Sequence, residues 1–236
     1  MPDRFYCPDL PENGTVALPP EEAHHACSVL RMKQGDALIL FDGAGHEASA
    51  HIVASKKKSV EAEIESRQEI NRESRRALTI AVALPKGDRQ KWLIEKCVEL
   101  GAARILPLDV QRCVAKPEKQ VVERLQRQVI EASKQCRRNA LMQILEPMNW
   151  AAFLQSVSAG AYCQKWIAHP GGKTVSQLLK ESPEEGNFLA AVGPEGGFTE
   201  EECAQAIEAG FIQASLGARI LRIETAAVSL AAQVCN

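Results

Sequence analysis

The feature that most constrains this chain is a change of hydrophobic rhythm near Arg76. Before it, apolar residues alternate in short runs at Ala37–Phe41, 48–53 and 59–64, separated by Asp42-Gly43-Ala44-Gly45 and by residues 55–58. Alternating runs of this length, bounded by glycine turns and lysines, predict antiparallel strands of a small barrel. Pro19-Pro20-Glu21-Glu22 followed by residues 23–30 predicts one helix inserted among them. Residues 68–76 are polar, charged and without apolar periodicity, as expected of a linker. Beyond it, continuous apolar runs at 77–84, 103–108, 142–145, 163–168 and 188–192 alternate with helical spacing at 88–100 and 118–138. Strands alternating with helices predict a mostly parallel sheet covered on both faces. The reading is a small β-rich domain over residues 1–72 and a larger α/β domain over residues 73–236.

A chain of 236 residues can bury a core in each. No stretch approaches the ~18 consecutive apolar residues of a membrane span, and Met1-Pro2-Asp3-Arg4-Phe5-Tyr6 lacks the apolar run of a signal peptide. A cytoplasmic protein is expected. The eight cysteines are scattered, and none forms a C-x-x-C pair, so they are expected to be reduced thiols rather than a disulfide framework or a metal site.

The net charge of −2 conceals an uneven distribution. Residues 1–76 carry −3, residues 77–140 carry +6 and residues 141–236 carry −5. A local basic excess can attract a polyanion even when the whole chain is acidic, and it can equally be a solvated helix face. Lys86, Arg89 and Lys91 follow the first α/β strand, and Arg112 and Lys116 follow the next. Arg124, Arg127, Lys134 and Arg138 fall at helical offsets that predict one face opposite the stripe of Val121, Leu125, Val129, Ala132 and Cys136.

Two segments are more restricted than packing requires. An apolar strand runs into Gly193-Pro194-Glu195-Gly196-Gly197, after which Thr199 and Glu202 stand at capping-box spacing. Three glycines in five residues, at the carboxyl end of a parallel strand, let backbone approach a ligand or simply form a tight strand-to-helix turn. The loop lacks Gly-Lys-Ser/Thr and does not fit G-x-G-x-x-G, which disfavours nucleoside triphosphates and dinucleotides. The second segment is Leu216-Gly217-Ala218-Arg219-Ile220-Leu221-Arg222-Ile223-Glu224-Thr225, followed by a helix rich in alanine. Leu216, Ile220 and Leu221 could wall a pocket for a flat ring. Neither the histidines nor any serine shows the spacing of a metal or nucleophile motif.

Together these segments resemble the RsmE family, the 16S ribosomal RNA uracil-N3 methyltransferases of the SPOUT superfamily. The matching residues include Arg4-Phe5, His25 through Val29-Leu30-Arg31, Phe41-Asp42-Gly43, Lys86, Lys96 with Glu99-Leu100-Gly101, Glu131-Ala132 with Gln135 and Arg137, the glycine loop, and Arg219-Ile220-Leu221-Arg222 with Glu224-Thr225-Ala226. The resemblance implies a PUA-like RNA-binding β-barrel followed by a SPOUT-type α/β domain with a C-terminal trefoil knot. It also implies a homodimer, S-adenosylmethionine as cofactor, and 16S rRNA or the 30S subunit as partner. A non-catalytic RNA-binding protein and a SPOUT methyltransferase acting on another RNA are the alternatives.

Carried over by position, the resemblance places Ala168, Gly193, Pro194, Glu195, Gly196, Gly197, Leu216, Gly217, Ile220, Leu221, Arg222 and Thr225 at the cofactor. Ala168-His169-Pro170-Gly171-Gly172 stands where many relatives carry an acidic residue. Arg4, Arg31, Lys86, Arg89, Arg112, Lys134 and Arg138 are the expected RNA contacts. Uracil N3 carries a proton and is a poor nucleophile at neutral pH, so the reaction needs a base or a cation that stabilises the uracil anion. Arg222 is the expected cation, with Glu224 or Glu195 as proton acceptor.

Overall fold

The computed structural model of the chain describes residues 2–56, 59–113, 119–157 and 160–235, with only the backbone of Lys119. Lys116, one of the expected basic residues, lies outside the described residues. The chain divides into two compact units, one of Met1–Arg72 with Ile130–Leu141 and one of Glu73–Val129 with Met142–Asn236.

In the first unit, β1 (Asp3–Tyr6), β2 (Gly14–Ala17) and α1 (Pro20–His24) precede β3 (Ala37–Phe41), β4 (His46–Lys56) and β5 (Ser59–Glu69). The strands form one sheet in the order β1-β3-β4-β5-β2, antiparallel except for the parallel pair β1 and β3. Period-two alternation sets the faces: Val60, Ala62 and Ile64 of β5 are buried, and the glutamates between them point outward. Phe5, Leu38, Leu40 and Ile52 pack with Ala23 and Ala26 into this core. The helix expected from Pro19 to Leu30 forms, but changes type along its length. A π-turn at His25–Val29 follows α1, and Arg31, with φ 57°, ends the helical path.

The first unit also takes in Ile130–Leu141. Polar bonds fix this segment there. Arg4 Nη2 donates to Asn139 Oδ1 at 2.6 Å, and Lys134 Nζ donates to both Glu22 oxygens at 3.0 and 3.1 Å. Leu141 N–H donates to Gly43 O at 2.9 Å. At Gly43, with φ 77°, a Cβ would stand 2.9 Å from the Leu141 side chain, so the close approach requires glycine.

The second unit begins with β6 (Arg76–Val82), α2 (Asp88–Glu99), β7 (Arg104–Asp109) and α3 (Lys119–Cys136), whose last turns run into the first unit. There follow β8 (Gln143–Ile144), β9 (Met148–Asn149), α4 (Trp150–Ser156), β10 (Gln164–Thr174), α5 (Val175–Lys180), β11 (Gly186–Val192), α6 (Glu200–Glu208), β12 (Ile212–Ser215) and α7 (Ile223–Val234). The sheet order is β12-β10-β11-β6-β7-β8, with β9 on β7, and every pairing is parallel. Continuous burial along Leu78–Val82 and Phe188–Val192 explains the unbroken apolar runs, since a parallel sheet is covered on both faces. On one face Trp150, Phe153, Cys203, Ala206 and Phe211 pack against Leu106, Ile167 and Leu189.

Candidate functional site

The site is built where β11 and β12 end, beside an irregular stretch in the middle of β10. Val192, the last residue of β11, is buried, and Pro194 O accepts Gly197 N–H at 2.8 Å, closing a turn in which Gly197 takes φ 66°. A Cβ on Gly193 would lie 3.1 Å from both the Phe198 ring and its amide nitrogen, so the first glycine lets the chain fold back on itself. Thr199 then caps α6 with the expected capping box. Glu202 N–H donates to Thr199 Oγ1 at 3.1 Å, and Thr199 N–H donates to Glu202 Oε2 at 2.8 Å.

Ala168 is expected at the end of a strand, and the structure instead continues β10 beyond it through a bulge. Ala168 and Lys173 both pair with Ala214, and the intervening residues protrude. A Cβ on Gly172 would meet the Gln213 carbonyl oxygen at 2.3 Å, which fixes β12 tightly beside this bulge. Beyond β12 the chain turns at Gly217, φ 117°, and passes Ile220, which is 91% exposed, before entering α7.

These three segments enclose a cavity of about 250 Å³. Ala168, Gly193, Pro194, Glu195, Gly196, Gly197, Leu216, Gly217, Ile220 and Leu221 line it. His169, Pro170, Phe198, Ala214 and Ala226 also contribute and were missed. Phe198 directly follows the glycine loop, a signal the sequence offered; Ala214 sits in a four-residue strand too short to show a pattern.

Arg222 and Thr225 do not line this cavity. They line a separate groove of about 620 Å³ with Asp88, Arg89, Lys91, Trp92, Glu95 and Glu224. The reason is periodicity: the chain enters α7 at Ile223, so Leu221, Ile223 and Ala226 face the cavity while Arg222, Glu224 and Thr225 face the groove. Arg89 connects the two. Its Nη1 donates to Glu195 Oε1 at 3.3 Å and lies 3.8 Å from Glu224 Oε2. Glu224 is buried and its Oε2 has no hydrogen-bond donor, whereas Glu195 is exposed.

The expected RNA contacts divide sharply. Arg31 and Lys86 are exposed. Arg4 is committed to Glu47 at 2.9 Å and to Asn139, and Lys134 to Glu22 and Glu131, so these guanidinium and ammonium groups hold the first unit together. Arg112 reaches the glycine loop, donating from Nη1 to Gly196 O at 2.7 Å and Phe198 O at 3.5 Å. Arg138 is the clearest departure. Helix α3 ends at Cys136, Arg137 adopts φ 62°, and Arg138 is turned inward to 5% exposure instead of extending the basic face. Arg124 and Arg127 do lie exposed on α3.

The cysteines offer no reactive thiolate at the site. Burial pushes the Cys97 thiol up to about 12 and that of Cys7 up to about 11, and it also raises Cys113 and Cys203. Among the described residues no helix is long and apolar enough to cross a membrane.

Comparison with known proteins accounts for both units. Residues 72–235 match the RNA methyltransferase domain family, and residues 18–65 match the RNA methyltransferase PUA domain. The Ribosomal RNA small subunit methyltransferase E of a Synechocystis strain is 34% identical over 225 residues, covering 94% of this chain and 73% of that protein. A methyltransferase from Legionella pneumophila, solved in complex with the cofactor SAM, aligns with TM-score 0.90 and 35% identity over 99% of this chain and 97% of that one. The Ribosomal RNA small subunit methyltransferase E of Neisseria gonorrhoeae, solved bound to S-adenosyl methionine, aligns with TM-score 0.88 and 32% identity over 98% and 96%. A PUA-type first unit, a parallel α/β second unit and end-to-end likeness to these proteins lead to one conclusion: the chain belongs to the RsmE family of ribosomal RNA methyltransferases within the SPOUT superfamily.

Proposed function

We propose that this protein methylates N3 of a uridine in 16S rRNA of the small ribosomal subunit, acting in the cytoplasm as a homodimer with S-adenosylmethionine as methyl donor. The observation that carries the reading is that two relatives, each aligning over at least 98% of the chain, were solved with that cofactor. The cavity at the ends of β11 and β12 and the bulge of β10, with its glycine-rich loop and the knotted threading expected of the family, is the site proposed for it.

The residues present fit such a ligand. Leu216, Ile220, Leu221 and Ala226 supply an apolar wall for a flat ring, and Gly193, Gly196, Gly197 and Gly217, without side chains, bring the backbone itself to the cavity wall. When bound, S-adenosylmethionine supplies a methyl already activated by the sulfonium. The protein's task is then alignment and proton management. Arg222, exposed at the start of α7 beside the groove, is proposed to stabilise negative charge on the uracil ring. Glu224 or Glu195 accepts the N3 proton, and Arg89 touches the environment of both. The target base must leave its stack, which favours a flexible or single-stranded RNA site.

The experiment is incubation with labelled S-adenosylmethionine and 30S particles or free 16S RNA, followed by mapping of the modified nucleoside by mass spectrometry. A single N3-methyluridine supports the proposal. Saturable cofactor binding with no transfer to either substrate removes it.

A further inference from the structure

The turn after β7 and the glycine loop are joined by reciprocal bonds. From the turn, Arg112 Nη1 donates to Gly196 O at 2.7 Å and reaches Phe198 O at 3.5 Å. Toward the turn, Glu202 Oε1 accepts the Gln111 N–H at 2.8 Å, while the other Glu202 oxygen accepts Thr199 N–H at 2.8 Å. Glu202 is buried at 6% exposure, so its bonds are shielded from water. The fit is tight: a Cβ on Gly196 would stand 3.3 Å from Arg112 Cδ. Gly196 and Phe198 both line the cavity that Arg112 itself does not line.

An arginine spent on two backbone carbonyls of a ligand loop has a different task from one that tracks phosphates. We infer that Arg112, which the sequence placed among the RNA contacts, is a positioning residue that holds residues 196–198 in the shape that receives the cofactor. This rests on the proposed cofactor site. A carbonyl that accepts a guanidinium hydrogen bond is oriented toward Arg112, which fixes the peptide plane between Gly196 and Gly197 and with it the direction of the Gly197 N–H. Without the clasp, three glycines in five residues leave the loop a broad range of conformations, and binding must then select the competent one.

The test uses the full-length protein and the variants Arg112→Ala and Arg112→Lys. Three readouts are taken: S-adenosylmethionine binding by titration calorimetry, 30S binding without cofactor, and thermal melting. Arg112→Ala is expected to weaken cofactor binding by about tenfold or more. It should raise the KM for the cofactor with a smaller change in kcat, and leave 30S affinity within about twofold and the melting temperature within a few degrees. Arg112→Lys, a single donor without the planar fork, is expected to recover part of the affinity. Unchanged cofactor affinity together with weakened 30S binding overturns the inference and makes Arg112 a phosphate contact. A loss of cofactor affinity that only follows a collapse in melting temperature overturns it as well. Wild-type protein that fails to bind S-adenosylmethionine refutes the functional reading beneath it, an outcome distinct from wild type and variants binding alike.

Discussion

Arg89 Nη1 hydrogen-bonds Glu195 Oε1 at 3.3 Å, so the first turn of α2 is pinned to the glycine loop after β11. The same nitrogen is 3.8 Å from the buried Glu224, whose Oε2 lacks any hydrogen-bond donor. Arg89→Ala therefore leaves a buried carboxylate without its cation. An uncompensated buried group costs about 1–3 kcal/mol. At roughly 2–4 °C per kcal/mol for a chain of this size, the melting temperature should fall by about 2–12 °C. The double variant with Glu224→Gln should recover part of that loss. Calorimetric melts of the single and double variants check the coupling.

Arg222 lines the groove and not the cavity, so its removal should separate chemistry from cofactor binding. Arg222→Ala is expected to reduce single-turnover methylation by about a hundredfold, comparable to removing one charge-stabilising donor elsewhere. Cofactor affinity should stay within about threefold in the same preparation. Equal loss of both would show that Arg222 only shapes the site.

Gly172 and Gly171 make a paired control. Gly172→Ala would drive a Cβ to 2.3 Å from the Gln213 carbonyl oxygen, forcing β10 and β12 apart next to the cavity. It should cost about 1–3 kcal/mol or more, seen as a lower urea midpoint and weaker cofactor binding. Gly171→Ala meets only the His169 ring at 3.4 Å and should be close to wild type in both measurements.

Acid should loosen the first unit through Glu47. Burial pushes this carboxyl up, but hydrogen bonds from Arg4 and Asn139 and the charges of Arg4 and Arg72 outweigh it and hold it below its ordinary value of 4.5. A depressed carboxylate contributes stability that is present at neutral pH and is lost as pH falls below 4.5 through the lower folded value. Glu47→Gln should thus be less stable than wild type at pH 7, and the gap should narrow toward pH 3. Thermal melts across that interval measure it.

What the sequence made legible was what repeats or punctuates. The period-two runs gave β3, β4 and β5; the buried runs gave β6, β7 and β11; and Thr199 with Glu202 marked the start of α6. The glycine loop and Leu216–Leu221 converge on one cavity because each follows a parallel strand whose carboxyl end opens on the same side. β1, β2 and β12 escaped, since four residues carry too little pattern. Charge was the least legible property. Arg4, Arg89, Arg112 and Lys134 are all basic in the sequence, yet each is taken up by an acidic or carbonyl partner brought close only by folding. Arg138 failed for a local reason, the left-handed Arg137 that ends the helical register.

Because α3 carries residues 130–141 back into the first unit, that unit is written in two separate stretches of sequence. It cannot be transplanted as a cassette. A fragment ending at Arg72 would leave Arg4 without Asn139 and Glu22 without Lys134, exposing a guanidinium and a buried carboxylate to be solvated anew. Any recombination that exchanges this unit between members of such a family must therefore carry three crossovers in register, one near residue 72, one inside α3 near residue 130 and one near residue 141. Single-crossover chimaeras should be selected against, and the two halves should be inherited as one piece.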